Sequence, residues 1–190
     1  MTESLSNRKI AILVANGFNE SHITEMQRAL TRIKAPYKII APEQGLVNGW
    51  QDNAWGHYFT VDAPIGTALG SDYDALVLVG GERGVAKLKT NLHARRIINH
   101  FLEAQKPVSA IGAGVALLAL SPKSAGREVA ALPELQTDLK AANIEATAES
   151  QTIDGNLLTS TGVDITAWIE ATLAFFPEAV LPEEEAVEAA

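Results

Sequence analysis

Short apolar runs alternate along this chain with stretches in which apolar residues recur every three or four positions. KIAILVA (9–15) predicts a strand buried on both faces, closed by Asn16-Gly17. Ile23, Met26, Leu30 and Ile33 then share one face of a helix. YKIIAP (37–42) predicts a second strand, ended by Pro42. Residues 45–62 read as a strand pair around a loop that holds Trp50, Trp55 and His57. ALVLVGG (75–81) predicts a third buried strand. A helix follows over 91–105, with Ala94, Ile97, Ile98, Phe101 and Leu102 inward. PVSAIG (107–112) is the next strand and 114–120 its helix. A short strand near 128–131, a helix over 133–142 and a strand over 144–148 come next. After a turn at Asp154-Gly155 and a strand over 156–160, a helix over 163–176 closes the pattern. It places Ile165, Trp168, Ile169, Thr172, Leu173 and Phe176 inward.

Strands buried on both faces with helices between them predict an α/β, doubly wound, mainly parallel sheet. Ligands in such sheets bind beyond the carboxyl ends of the strands, so loops 16–22, 80–84 and 112–115 carry the candidate chemistry. No repeat and no interdomain linker interrupts the pattern.

Composition narrows the chemistry. The 190 residues contain no cysteine, which excludes disulfides, zinc–thiolate sites and a cysteine nucleophile. The formal net charge is −8, but Glu178, Glu183, Glu184, Glu185 and Glu188 crowd the end, leaving about −3 for the body. Residues 177–190 are therefore expected to be a solvated acidic tail, and residues 1–8 a flexible N-terminus, around a single domain over 9–176. Without a basic stripe to neutralise phosphates, nucleic-acid binding is not expected. No apolar run approaches the ~20 residues of a membrane helix, and MTESLSNRK lacks a signal-peptide core. The expectation is a soluble, cytoplasmic protein.

AIGAGVALLAL (110–120) places a glycine turn between strand and helix. A dinucleotide site needs a small third residue, but Gly112-Ala113-Gly114-Val115-Ala116-Leu117 puts leucine there. The acid expected ~20 residues later at a strand end is missing as well, because Glu128 begins its strand. A nucleotide cofactor is thus not expected. A nucleophile elbow fits better, and the residues around it are recognisable. KIAILVANGFNES, WGHYFTVDAPI, SDYDALVLVGG, KPVSAIGAG, GREVAALPELQTDLKAANIE and TIDGNLLTSTG occur in the order found in the ThiJ/PfpI family. That family, which includes the parkinsonism-associated deglycase, belongs to the class I glutamine amidotransferase-like superfamily. The resemblance spans Lys9 to Phe176 and implies a flavodoxin-like sandwich and a homodimer.

The family's elbow reads Ala-Ile-Cys-His-Gly. By resemblance its nucleophile falls at Gly112, the adjacent histidine at Ala113 and the retained glycine at Gly114. The family's acid in the first loop falls at His22. All three chemical positions are changed. The thiolate is the attacking species, and glycine supplies none. Ser109, inside a strand, and Ser121, beyond the elbow helix, are expected to be structural. The resemblance also places an oxyanion hole at Gly81 and the Ala113 N–H, which would still receive a small anionic or carbonyl ligand.

His22 is expected to point toward the elbow, either as a general base on water or anion contact, or as a filler of vacated space. His57 is expected near the pocket mouth, in the monomer or across a dimer contact. A His22/His57 metal pair has too few ligands, so no metal is expected. Candidate ligand-binding residues are therefore Gly81, Gly112, Ala113, Gly114, His22 and His57. Glu20 is expected to cap the first helix, His93 and His100 to face solvent, and Trp50 and Trp55 to wall the pocket or bury a dimer contact. The expected function is a non-catalytic small-molecule-binding or assembly module, as by resemblance in large catalases that carry the domain without its nucleophile. The alternative is a cysteine-independent hydrolase, glyoxalase or hydratase acting on a small carbonyl compound.

Overall fold

The computed structural model describes residues 5–178. Four of the central strands are buried at every position: β1 (Ile10–Leu13), β7 (Ala75–Leu78), β8 (Val108–Ile111) and β12 (Leu157–Ser160). With β3 (Tyr37–Ala41), β6 (Ala63–Pro64) and β11 (Gln151–Asp154) they form one seven-stranded sheet in the order β11-β12-β8-β7-β1-β3-β6. Every pairing is parallel except the β11–β12 edge. Side chains alternate across it. Ile10 and Ile12 enter a core with Ile23, Met26 and Leu30 of α1 (Glu20–Arg32) and Trp168 of α5 (Ile165–Glu178). Ala11 and Leu13 enter the opposite core, with Val85 and Leu88 of α2 (Glu82–Lys89) and Ile97, Ile98 and Phe101 of α3 (Leu92–Glu103). This is the doubly wound α/β sandwich that the apolar runs predict.

Two small sheets flank it. β2 (Phe18–Asn19), β4 (Leu46–Gln51) and β5 (Ala54–Thr60) form one, and β9 (Glu128–Ala130) pairs in parallel with β10 (Glu145–Thr147) in the other. α4 (Gln136–Ala141), preceded by a 3-10 turn at Pro133–Leu135, lies between β9 and β10 in the chain.

Several expectations are corrected. The α2 helix falls where the pattern predicts only a loop. It offers just two inward apolar residues, Val85 and Leu88, and an interior Gly84 that lowers helix propensity. β11 was likewise unmarked, because an edge strand in contact with solvent carries no apolar run. The segment after the elbow, Gly112–Leu120, winds as a 3-10 helix rather than an α-helix. Ile33 terminates α1 and is exposed rather than inward. Leu5–Asn7 form a 3-10 turn with Leu5 buried, where the pattern marks no element. Apart from its first two residues, the acidic tail lies outside the described residues, as do residues 1–4. Among the described residues, no helix is long and apolar enough to cross a membrane.

Candidate functional site

The three loops singled out by the strand pattern do meet. Asn19 and His22, Gly80 to Glu82, and Gly112 with Ala113 line one cavity of about 340 Å3 at the carboxyl ends of the central strands. Leu132, Glu134 and Leu135 from the segment after β9, and Thr161 and Gly162 from the turn after β12, complete its wall. The sequence pattern had not marked these last five. They lie in stretches that carry the family resemblance but hold no residue singled out for chemistry, and the β8–β12 pairing and the return from β9 bring them over the elbow.

Gly112 is the elbow. It follows β8 directly and sits at φ +57°, the left-handed region where a side chain costs on the order of 1–2 kcal/mol. A Cβ built there would stand 3.5 Å from His22 Cε1, an ordinary contact, so there is room for a Cβ. Gly114 is corrected. It is not part of the cavity wall, and a Cβ on it would come within 2.6 Å of the Val79 carbonyl oxygen, so it permits close packing and does not contact a ligand.

His22 points at the elbow, as expected from the family's acid position. It is buried, at 4% exposure, and its Nδ1 accepts the Gly80 N–H at 3.0 Å. Burial pushes its pKa down to about 4, so the ring is neutral at neutral pH. With Nδ1 occupied as an acceptor, the ring proton resides on Nε2. No other hydrogen bond to His22 occurs among the described residues, which leaves Nε2–H as a donor to the cavity. A general base needs a free lone pair, and this tautomer has none to offer. Trp168 stacks obliquely beside the ring, with centroids 6.0 Å apart. The indole is held in turn by a closed set of bonds. Trp168 Nε1 donates to Ser109 Oγ at 2.8 Å, Ser109 bonds Thr172 Oγ1, and Thr172 donates to the Trp168 carbonyl. Ser109 thus joins the elbow strand to α5. Ser121 donates to Asn99 Oδ1 and accepts the Lys123 N–H, so both serines are structural as expected.

His57 does not reach the elbow cavity. It projects from β5 into a separate depression with Glu20, Ser21 and Thr24. Its Nδ1 lies 2.5 Å from Glu20 Oε1, and its backbone N–H donates to Glu20 Oε2. The two histidines therefore line different cavities. Glu20 is corrected too. The helix cap is Asn19, whose Oδ1 accepts the Ser21 N–H, while the Glu20 carboxylate turns under the β4–β5 hairpin. His100 is half-buried rather than solvent-facing, because its Nε2 meets Lys106 Nζ at 3.2 Å. His93 is exposed. Trp50 and Trp55 do not wall the cavity. They pack edge to face, with the Arg83 guanidinium 4.1 Å above Trp50.

Comparison with known proteins places the fold and the family. The chain is 29% identical to General stress protein 18 of Bacillus subtilis over 170 residues, covering 88% of this chain and 96% of that one. It is 26% identical to a deglycase of Pyrococcus horikoshii over 162 residues, covering 85% and 95%. The crystal structure of a ThiJ/PfpI domain protein from Brachyspira murdochii superposes with a TM-score of 0.78 at 20% identity, over 88% of this chain and 94% of that one. This confirms the flavodoxin-like fold. The family model of DJ-1/PfpI matches residues 8–174, and the chain belongs to the DJ-1/PfpI family.

Proposed function

We propose that this chain is a small-molecule-binding module of its family that has given up the cysteine chemistry. The observation that carries the reading is Gly112 at the elbow, in the left-handed conformation, with no cysteine anywhere in the chain. The site has kept its shape and its donors. α2 and the Gly112–Leu120 segment both begin at the cavity, and neither Gly81 nor Ile111 caps its helix with a side chain. Free N–H groups at helix starts attract carbonyl and carboxylate oxygens. His22 adds a third donor in the position where the family resemblance places an acid. A cavity rich in donors, with no cysteine at its elbow and no free lone pair on His22, binds its ligand and leaves it unchanged.

The test compares methylglyoxal turnover by the wild type with that of a Gly112→Cys/Ala113→His/His22→Glu variant. The wild type is expected to be silent and the triple variant active, since a Cβ at 112 meets its neighbours at ordinary contact distance. Turnover by the wild type that His22→Ala abolishes would overturn the reading in favour of a cysteine-independent enzyme.

A further inference from the structure

The polar groups of the elbow cavity are sorted by position. The floor is made of donors: the open helix starts at Gly81–Glu82 and Gly112–Ala113, and the Nε2–H of His22, a side chain 4% exposed with no partner there among the described residues. Among the described residues, the charged groups of the wall are Glu82 and Glu134, both exposed, with no lysine or arginine beside them. Leu132 and Leu135 give one side an apolar surface. The volume, about 340 Å3, is at the small end of ligand sites.

This arrangement selects by charge. A phosphate or dicarboxylate would gain the floor donors but bring two negative charges past two carboxylates, with no cation to offset them. A neutral carbonyl compound would satisfy the floor and leave the acidic rim unused. A molecule with a single carboxylate at one end and an ammonium near it satisfies both. We propose that the cavity binds a small zwitterion, an α-amino acid with an apolar side chain. Its carboxylate lies on the Gly81 and Ala113 N–H groups and His22 Nε2, its ammonium lies toward Glu134, and its side chain lies along Leu132 and Leu135. This rests on the binding-module reading and names the ligand class of that site.

The test is calorimetric titration of the full chain with four probes: L-leucine, 4-methylpentanoate, which lacks the amine, 3-methylbutylamine, which lacks the carboxylate, and inorganic phosphate. Leucine is expected to bind at least tenfold more tightly than each of the others. In Glu134→Gln, an exposed substitution that leaves the core untouched, leucine binding is expected to weaken about fivefold while 4-methylpentanoate binds no worse. Equal binding of leucine and 4-methylpentanoate by the wild type, or preference for phosphate, overturns the zwitterion and leaves the binding-module reading standing. Absence of binding by leucine overturns the proposal as well, and methylglyoxal turnover then decides the function separately.

Discussion

Glu20 and His22 sit in the same turn of α1, yet they face opposite surroundings. At 100° per residue they are about 200° apart around the helix axis, so one serves the hairpin side and the other the elbow. On the hairpin side a buried carboxylate has its partners built in: the ring Nδ1 and the backbone N–H of His57. Gly49 and Gly56 make the room, since a Cβ at Gly49 would stand 2.9 Å from Glu20 Oε2 and one at Gly56 would overlap it. On the elbow side a buried imidazole has no carboxylate, and desolvation alone governs it. Its bond from the Gly80 N–H fixes the tautomer and turns the ring into a donor. The difference teaches that the chain has a carboxylate–imidazole pair, but away from the pocket where the family resemblance places its chemistry. Burial decides charge at the elbow, and a partner decides geometry at the hairpin.

The largest expected effect breaks the comparison at His22. The unfolded chain takes up a proton on this residue near pH 6.5 and the folded chain only near 4. Its contribution to stability is complete above pH 6.5, falls as the pH drops through that window and is gone below about 4. The full difference is on the order of 3 kcal/mol. Urea unfolding of wild type and His22→Gln at pH 7, 5.5 and 4 reads it, because other groups titrate in both. Parallel stability–pH curves would show that burial does not set this ring's charge.

The next effect lies on the hairpin side. Glu20→Ala strands the His57 N–H and is expected to cost about 2 kcal/mol. Gly56→Ala pushes a methyl into Glu20 Oε2 and is expected to cost a similar amount, about 2 kcal/mol. Combined, the two should cost clearly less than their sum, because the alanine at 56 then enters vacated space. Additive losses in urea melts would mean that the glycine serves something other than Glu20.

The smallest effect sharpens the elbow. Gly112→Ala meets His22 Cε1 at an ordinary 3.5 Å, so only the positive φ opposes it, and a loss of about 1 kcal/mol is expected. A loss above about 3 kcal/mol would show that the elbow no longer has room for a side chain.

Much of this molecule is legible in its sequence. Runs such as ALVL and VSAI are buried on both faces, and that alone marks central strands of a sandwiched sheet. The step of three and four through Ile23, Met26 and Leu30 marks the inner face of α1. The glycine elbow, the missing cysteine and the direction of His22 also followed from residue order and resemblance. Elements with little apolar periodicity, α2 and β11, were hidden because their burial is partial and comes from neighbours distant in the chain.

The linear chain determined its α/β units, the elbow between β8 and the helix after it, and the loss of the nucleophile, since each depends on residues within a few positions of one another. Only the tertiary structure decided that His57 belongs to Glu20 and not to the cavity, that Asn19 caps α1, and that Leu132, Glu134 and Thr161 wall the site. Those outcomes depend on strand order and on which faces of α1 meet the hairpin and the elbow. Periodicity reports how one segment is buried, and contains no term for which distant segment buries it.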